Sequence, residues 1–287
     1  MPRPSTCGSH VRALAGAALL VCLPWALCSC ASVAHAVPVR DPSPAHRPAR
    51  VMFVGAHPDD EAMVGPVLAW LCKERKARCH FVVLSEGEES GCVAMEGCDA
   101  DLVAQRRREM RRVADGFGAT LALYRFQNLP FHFLWPPPFE AALEAWRAQG
   151  APVDVVAREI RAFRPDLIVS LDDEHGFTGH PEHRLAGWLA RRGAARAAER
   201  DAALEGEPYE TPRLWLAQNR RFPMTTTGID PKEPDLVFDV SRRCGRRACR
   251  EVAAELAALH ESQQPYMGFL RAGQLATGSV WLAEVRP

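Results

Sequence analysis

Short apolar runs alternate with longer helix-like stretches from residue 51 onward, and this alternation most limits the folds that the chain can adopt. The runs typical of strands are 51–56, 80–85, 120–126 and 166–171, and the helix-like stretches are 60–77, 101–117, 153–163 and 181–204. Continuously apolar strands that alternate with helices form mostly parallel sheets with both faces covered. The pattern therefore predicts an α/β fold with helices on both sides of one sheet.

The later part of the chain continues this pattern less clearly. Strands are expected at 213–218 and 236–240, and a helix at 245–262. The segment 128–152 is rich in proline and aromatic residues and interrupts the alternation, so it is either a lid or pocket wall or an ordinary surface loop. Because no internal repeat or second domain boundary is visible, we expect one domain over 51–287.

Residues 1–36 have the features of a signal peptide. They contain arginines but no acidic residue, and the apolar run 13–27 is short for a membrane span. Cleavage would follow Ala36, or would precede Cys30 in a segment that resembles a bacterial lipobox and would attach a lipid there. An uncleaved membrane anchor is the alternative. Followed by the proline-rich linker 37–50, this start predicts an extracytoplasmic bacterial domain: periplasmic, secreted or lipoprotein-anchored.

Six cysteines follow residue 36, and they form three pairs of close neighbours along the chain. An even, locally paired set in an exported chain indicates disulfide bonds. A cluster of zinc-bound cysteines is the rival interpretation, but it needs C-x2-C spacing, which none of these pairs has. Connectivity is not determined by sequence alone, but the spacing favours three local bonds: Cys72–Cys79, Cys92–Cys98 and Cys244–Cys249.

Composition and glycine spacing exclude two classes of ligand. The 287 residues include 35 basic and 35 acidic side chains, so no basic surface for nucleic acid is expected. A dinucleotide site would need the pattern G-x-G-x-x-G after the first strand. This turn has Gly55 and then no glycine before Gly65, so we do not expect a dinucleotide there.

The segment AHPDDE (56–61) follows the first predicted strand directly. Pro58 keeps His57 out of the helical region, so the histidine belongs to the strand end. Asp59, Asp60 and Glu61 fall in the first helical turn, where the helix dipole favours anions. Ionised carboxylates beside a neutral imidazole are ligands that zinc accepts.

A second segment, GHPEHR (179–184), follows the fourth predicted strand and repeats this arrangement. Here His180 and His183 flank a proline and Glu182. Because both motifs follow parallel strands, both can open onto one cleft. Together they can supply two histidines and one carboxylate to a metal, with a further acid and histidine nearby. Three protein ligands and a water are the arrangement of catalytic zinc sites.

Five segments together resemble the PIG-L/LmbE-like N-acetylglucosaminyl deacetylase family. The two histidine motifs carry most of the resemblance, which extends over 51–264 with support from VVLSEGEESG (82–91), RREM (107–110) after Arg106, and ALHESQ (258–263). The resemblance implies a Rossmann-like three-layer αβα sandwich with a mostly parallel sheet. It also implies an exported, zinc-dependent hydrolase in which metal-activated water removes an N-acetyl (N-acyl) group from a substrate that contains N-acetylglucosamine.

The same resemblance implies roles for the residues of the two histidine motifs. His57, Asp60 and His183 would bind Zn²⁺, although another divalent transition metal is possible. Asp59 would be the general base, and His180 would stabilise the oxyanion or help to protonate the leaving amine. The residues themselves do not distinguish Asp59 from Asp60 in these roles. This sequence departs from the family pattern at two positions, where Glu182 replaces an aspartate and Thr178 replaces a tyrosine found in some members.

Four further residues are candidates for substrate binding: Arg106, Glu88, Asp173 and His260. Arg106 would contact a sugar hydroxyl or a phosphate, or simply lie on a solvated helix face. Asp173 would bind substrate hydroxyls or orient a ligand histidine, or be an ordinary polar loop residue. His260 would line the pocket or be structural.

Two other functions are compatible with the same residues. One is a zinc hydrolase of a different amide or an ester. The other is a metal-dependent glycan-binding protein without turnover, although such a protein has no need of a base at Asp59. The expected partner in each sugar-related case is an N-acetylated sugar or glycoconjugate. We expect no nucleic acid, and contact with a membrane only through a lipid at Cys30.

Overall fold

The structure is a computed structural model and describes residues 48–90, 101–132, 135–219, 233–264 and 266–287. The expected signal peptide, nearly all of the linker 37–50 and the expected Cys92–Cys98 bond lie outside these ranges. Among the helices that the structure describes, none is long and apolar enough to cross a membrane.

Strands and helices alternate along the described chain. Its first part contains β1 (Arg50–Gly55), α1 (Gly65–Leu68), β2 (Arg78–Val83), α2 (Leu102–Phe117), β3 (Ala119–Leu123), α3 (Phe139–Gln149), α4 (Pro152–Phe163) and β4 (Leu167–Leu171). Its second part contains α5 (Gly176–Gly179), α6 (Pro181–Ala198), β5 (Leu214–Gln218), β6 (Leu236–Asp239), β7 (Arg243–Cys244), β8 (Arg247–Ala248), α7 (Cys249–Ala257), α8 (Tyr266–Thr277) and β9 (Ser279–Val285). Around α1, a 3-10 turn (Asp60–Val64) precedes and a π-helical turn (Ala69–Glu74) follows.

One sheet contains seven of the described strands in the order β3-β2-β1-β4-β5-β9-β6. The first five of these are parallel to one another, whereas β9 is antiparallel to both β5 and β6. Met52 of β1 lies opposite both His80 of β2 and Ile168 of β4, so β1 is central in the parallel part. The predicted α/β sandwich with a mostly parallel sheet is confirmed.

Apolar side chains pack on both faces of the sheet. On one face, Val51 and Phe53 of β1 belong to a core that includes side chains of 63–72, α2 and α7. On the other face, Met52 and Val54 belong to a core with side chains of α3, α4 and α6. Successive residues of a strand point to opposite faces, which explains why residues 51–54 of β1 are all apolar.

Helix α6 lies very close to the end of β4, and glycine at position 187 makes this possible. A Cβ atom on Gly187 would lie 2.1 Å from the carbonyl oxygen of Leu171, the last residue of β4. Pro181 stands in the first turn of α6, where its missing N–H costs no helical hydrogen bond. The start of α6, which carries the second histidine motif, is therefore held against the carboxyl end of β4.

Some elements differ from the expectations based on sequence. Helix α3 lies inside the segment 128–152, and neither α8 nor β9 was expected. The helix expected over 245–262 is shorter, because β7 and β8 form a hairpin and α7 ends at Ala257. In β9 only Val280 and Leu282 are buried, whereas β1 is buried from Val51 onward and β4 is buried in every residue.

Two of the expected disulfide bonds are present and are confirmed. Cys72 and Cys79 join the π-helical turn to the start of β2, with Cα atoms 5.9 Å apart. Cys244 and Cys249 link the β7–β8 hairpin to the start of α7, with Cα atoms 4.9 Å apart.

Candidate metal centre

The candidate site lies where β1 and β4 end side by side. Strands β2 and β3 lie on one side of β1, and the chain then crosses over to place β4 and β5 on the other. In open parallel sheets such a reversal of strand order leaves a crevice at the carboxyl ends of the two central strands. The topology therefore brings the motif after β1 and the motif after β4 to one crevice.

The carboxylate of Asp60 stabilises a sharp turn after β1. Its Oδ2 atom accepts hydrogen bonds from the backbone N–H groups of Ala56 and His57, at 2.7 and 3.1 Å. The preceding Asp59 has a φ of 132°, which non-glycine residues rarely adopt and which is concentrated at functional sites. The turn buries Asp60 completely beside His57.

Three potential metal ligands meet in the crevice. His183 Nε2 lies 3.1 Å from His57 Nδ1 and 3.1 Å from Asp60 Oδ1, and His57 Nδ1 lies 3.5 Å from Asp60 Oδ1. Donor atoms at about 2.0–2.1 Å from a tetrahedral zinc ion are about 3.3 Å apart, so the triangle has a suitable size. Asp60 Oδ1 is buried without a hydrogen bond of normal geometry, as expected of an oxygen that binds a metal.

Hydrogen bonds on the far side of each ring leave the facing nitrogens available to a metal. His57 Nε2 lies 2.6 Å from Glu182 Oε2, and His183 Nδ1 lies 3.2 Å from the carbonyl oxygen of Gly176. Because these oxygens accept, a ring proton is on that side, and in the neutral rings that bind a metal the lone pairs are on His57 Nδ1 and His183 Nε2. Thr178 Oγ1 lies 2.8 Å from the same His183 nitrogen, so the threonine also contacts a potential ligand.

Glu182 is fully buried and contacts the loop after β3 as well as His57. Its Oε2 atom also accepts a hydrogen bond from Asn128 Nδ2 at 2.7 Å, and its Oε1 atom accepts from the N–H of Leu129 at 2.6 Å. Glu182 therefore orients His57, which is a potential metal ligand. The sequence offered no sign of Asn128, which lies in the segment without a regular pattern.

The charges around the crevice favour a cation. Burial alone would lower the pKa of His57, but the carboxylates of Asp60 and Glu182 outweigh burial and raise it to about 10. Burial would raise the pKa of Asp60, yet His183 and His57 hold it well below its ordinary value. The crevice therefore stabilises positive charge at neutral pH, and a divalent metal between the three donor atoms would supply it.

A second group of potential ligands, His57, His180 and Glu182, lies in the same crevice. Its contact of 2.6 Å between His57 and Glu182 is a hydrogen bond and is shorter than the distance between two ligands of one ion. Glu182 Oε2 also accepts a hydrogen bond from Asn128. The group of His57, Asp60 and His183 is therefore the better candidate for a metal.

Asp59 adjoins these ligands and is held by Arg106. Its Oδ2 atom accepts a hydrogen bond from the guanidinium at 3.0 Å, and the same Arg106 nitrogen donates to the carbonyl oxygen of Pro58 at 2.6 Å. Arg106 is only 1% exposed, so it does not lie on a solvated face of α2. Burial raises the pKa of Asp59, although Arg106 opposes the change. A carboxylate with a raised pKa is suited to accept a proton.

His180 stands at the start of α6 and contacts both neighbouring histidines. Its Nδ1 atom accepts a hydrogen bond from the backbone N–H of Glu182 at 3.2 Å, so the proton of the neutral ring is on Nε2. The ring stacks on His183 at a centroid distance of 4.7 Å and meets His57 edge-on at 4.9 Å. Burial, with the nearby His183 and His57, lowers the pKa of His180 well below its ordinary value.

His260 is fully buried and pairs with Glu61 of the first motif, with 2.8 Å between Nε2 and Oε1. Burial alone would lower the pKa of His260, but Glu61 and Asp59 raise it. The segment is fixed by Glu109 of α2, which accepts hydrogen bonds from the N–H and the hydroxyl of Ser262 at 2.9 and 2.7 Å. His260 is thus packed beside the first motif, within reach of the charge on Asp59.

Glu88 and Asp173 lie further from the three ligands. Glu88 is exposed, and its Oε1 atom accepts a hydrogen bond from the N–H of Asn128 at 2.8 Å. Asp173 pairs with Arg191 of α6 at 2.7 Å, and burial raises its pKa although Arg191 opposes the change. Substrate binding by either acid stays a prediction.

Comparison with known proteins agrees with this geometry. A family model described as PIG-L, GlcNAc-PI de-N-acetylase, matches residues 52–194. The matched region contains both histidine motifs and all three potential metal ligands. Fold and site define an α/β protein with a centre of two histidines and one carboxylate at the switch point of its sheet. Residues 52–194 belong to the PIG-L family.

Curated relatives resemble the chain over part of their length. Deacetylases of 1D-myo-inositol 2-acetamido-2-deoxy-alpha-D-glucopyranoside from Nocardiopsis dassonvillei and Thermobifida fusca are 34% and 30% identical to it over 180 and 192 residues. A mycothiol S-conjugate amidase from Streptomyces coelicolor is 27% identical over 188 residues. The alignments cover 57% to 61% of this chain and 61% to 63% of those proteins, which is less than two thirds.

Solved structures share the fold at low sequence identity. The N,N'-diacetylchitobiose deacetylase from Pyrococcus horikoshii superposes with a TM-score of 0.57 at 18% identity, over 83% of this chain and 84% of that one. GalB, a 4-carboxy-2-hydroxymuconate hydratase from Pseudomonas putida, superposes with a TM-score of 0.58 at 16% identity, over 83% and 96%. The fold thus occurs in proteins named for different reactions, and function has to be argued from the site.

Proposed function

We propose that the protein is a zinc-dependent hydrolase that removes an N-acetyl (N-acyl) group from a substrate containing N-acetylglucosamine. The triangle of His57, Asp60 and His183, with the carboxylate of Asp59 beside it, carries the proposal. The family and the relatives named as deacetylases support an N-acetylated sugar as substrate. Imidazole and carboxylate donors suit zinc, and another divalent transition metal would fit the same set.

A zinc ion held by the three ligands would activate a water molecule and polarise the amide carbonyl. Asp59 accepts a proton from the water as its oxygen forms a bond to the carbonyl carbon, and Arg106 keeps that carboxylate in position. When the C–N bond breaks, Asp59 returns the proton to the departing nitrogen. Cleavage gives acetic acid and the free amine, which exchange one proton at neutral pH to give acetate and the ammonium form of the amino sugar, so atoms and charge balance.

His180 contributes a hydrogen-bond donor to this reaction. Its Nε2–H donates to the oxyanion that develops on the amide oxygen. Protonation of the amine by His180 would require a proton on Nδ1 as well, which would break the bond from the N–H of Glu182. This bond supports the first of the two roles that the resemblance implies.

We also propose that the protein acts outside the cytoplasm of a bacterium. The signal-peptide features of residues 1–36 support export, followed by cleavage after Ala36 or acylation at Cys30. The two disulfide bonds are compatible with an oxidising compartment. A cell-wall glycan, a surface glycan or an imported glycoconjugate fits this location.

A second candidate reaction is hydrolysis of a different amide. The likeness to a protein named mycothiol S-conjugate amidase favours it. The same water attack and the same base serve both reactions, so a substrate panel that includes mycothiol S-conjugates distinguishes them.

The test measures acetate or amine release by the mature protein, produced through an oxidising compartment and stripped of metal. We expect no release without metal, restored release with zinc, and a loss of about 10³-fold in Asp59→Asn. Asp115→Asn, an exposed aspartate of α2, is the matched control and should retain activity. Zinc binding without turnover on any N-acyl substrate, together with glycan binding, would indicate a binding protein. Failure to bind zinc would refute the assigned site.

A further inference from the structure

We propose that Phe131 and Trp135 form an aromatic subsite at the rim of the crevice, and that it binds a neutral sugar unit next to the N-acetylated one. This inference rests on the proposed function, because it extends the substrate of the same site to at least two sugars. Among large apolar residues in the described ranges, the exposed ones are Phe131, Trp135 and Tyr266, at 36%, 75% and 53%. Exposed apolar side chains that cluster beside a site mark a binding surface.

Stacked rings connect this surface to the metal centre. The ring of Phe131 stacks on His180 at a centroid distance of 4.2 Å and an interplanar angle of 28°, and His180 stacks in turn on His183. Further out, the rings of His132 and Trp135 are 6.2 Å apart. Phe131 and His132 are neighbours in the chain, so the two sets of rings belong to one segment between a potential metal ligand and the exposed Trp135. A substrate whose acetamido group lies at the metal would therefore extend across these rings.

The loop that carries the rings is anchored at its base. Asn128 is only 2% exposed, and it donates to Glu182, which also accepts from the N–H of Leu129. Beyond Trp135, residues 136–138 are all proline, which restricts the backbone. Anchoring on either side of Phe131 and Trp135 lowers the conformational entropy that these two residues lose when they bind a ligand.

The chemistry of the rim favours a neutral sugar. Glu88 and Glu89 are exposed beside the base of the loop, and their charge opposes a phosphate. The nearby Arg125 is paired with Glu86 at 3.3 Å. A lipid chain would need a continuous apolar groove, whereas the polar residue His132 lies between Phe131 and Trp135 in sequence and its ring adjoins that of Trp135. A sugar ring presents an apolar C–H face to an aromatic ring and keeps its hydroxyl groups in water.

The first experiment measures how catalytic efficiency depends on the length of the substrate. The zinc-loaded protein is assayed on N-acetylglucosamine and on tetra-N-acetylchitotetraose, and the ratio of the two kcat/KM values is determined. We expect Trp135→Ala to lower the tetramer-to-monomer ratio about tenfold, through KM, because one sugar–ring stack is lost. Tyr266→Ala, which removes an exposed aromatic ring on α8, is the matched control and should leave the ratio unchanged.

A second experiment separates this inference from the proposed reaction. Metal-free protein is titrated with the same tetrasaccharide and with N-acetylglucosamine in a calorimeter. Tighter binding of the tetrasaccharide that Trp135→Ala abolishes supports the subsite even if no acetate is ever released. An unchanged ratio and unchanged affinity in Trp135→Ala would overturn it. The neutral-sugar assignment is also overturned if octyl N-acetylglucosaminide gains as much affinity as the tetrasaccharide and loses it in the same variant, since the occupant would then be an apolar aglycone.

Discussion

Two regions of this protein bury charged side chains, and they differ in how completely their polar atoms are paired. Arg161 of α4 is 4% exposed, and its guanidinium donates to four backbone carbonyl groups at and beyond the end of α6: those of Ala197, Glu199, Leu204 and Gly206. The last carbonyl groups of a helix have no helical hydrogen-bond donor. Arg161 supplies donors to carbonyl groups at and beyond the end of α6.

The crevice at the ends of β1 and β4 behaves differently. Asp60 Oδ1, Glu61 Oε2 and His260 Nδ1 are buried there without a hydrogen bond. Unpaired buried atoms cost free energy, and in native proteins they need an explanation such as a ligand. In these two regions complete pairing accompanies a structural cluster, whereas incomplete pairing accompanies the candidate binding site. Four predictions test this distinction.

The largest effect is expected from Asp60→Asn. An amide is a poor zinc ligand, so affinity for zinc should fall by about 10³-fold. The amide oxygen can still accept from the N–H groups of Ala56 and His57, so the metal-free protein should lose only about 1 to 2 kcal/mol of stability, less than the roughly 3–5 kcal/mol typical of a fully paired buried ion pair that loses one partner. Competition with a chelator and urea unfolding of metal-free protein measure the two quantities. A loss of stability above about 3 kcal/mol would show that the crevice is structural and would break the distinction.

Arg161→Met should have the opposite effect: a loss of stability without a change in zinc affinity. Several buried carbonyls lose their donor, so unfolding should cost about 3 kcal/mol less, while zinc affinity stays the same. Arg158→Met on the same helix is the control, because Arg158 is exposed. Urea midpoints of the three proteins give the comparison. If Arg161→Met and Arg158→Met unfold alike, the four hydrogen bonds contribute little.

Asn128→Ala should weaken zinc binding by about tenfold, because it removes a donor from the carboxylate that orients His57. The neighbouring Gln127, whose side chain is exposed, provides Gln127→Ala as the control. Chelator competition measures both variants. Equal zinc affinity in Asn128→Ala and wild type would mean that His57 is oriented without this hydrogen bond.

The smallest effect concerns Glu159, which contacts His80 and Tyr124 away from the crevice. The hydrogen bond from His80, with help from Tyr124, lowers the pKa of Glu159 below its ordinary 4.5 although burial opposes this. A lowered folded pKa stabilises the fold above pH 4.5, and the contribution is lost as pH falls through the folded pKa.

Glu159→Gln should therefore be less stable than wild type at pH 7, by no more than about 1 kcal/mol, because the group is partly exposed to solvent. The two proteins should converge in acid, once pH falls below the lowered folded pKa of Glu159, when urea midpoints are compared from pH 7 downward. The exposed Glu144 of α3 provides Glu144→Gln as a control without such a trend. A constant difference at every pH would exclude the charge of Glu159 as its cause.

Much of the fold could be predicted because its strands are locally distinctive. Residues 51–54 of β1 and 167–169 of β4 are continuously apolar, and a sheet covered on both faces produces such runs. By contrast β9 has only alternate residues buried, and it pairs with strands distant in sequence. The local sequence does not predict that this strand lies between β5 and β6 in the sheet.

The residues of the candidate site divide in the same way. His57, Asp60 and His183 stand at strand ends and helix starts that the pattern of proline, acid and histidine marks. Asn128 and the pairing of Glu182 with His57 depend on segments that meet only after folding. The burial of Arg106 could not be predicted either, because the charged segment RRREMRR is typical of a solvated helix face. The hydrogen bond from Arg106 to Asp59 forms only after folding.

Local sequence patterns thus predict the parallel sheet, the two histidine motifs and the two disulfide bonds between described residues. Folding is needed to place β1 beside β4, to bring three donor atoms within 3.5 Å of one another, and to set the ring of Phe131 on His180. The reason is physical. Hydrophobic periodicity and proline act on neighbours in sequence, whereas donor-atom distances and ring contacts arise between segments that approach only when both cores are packed.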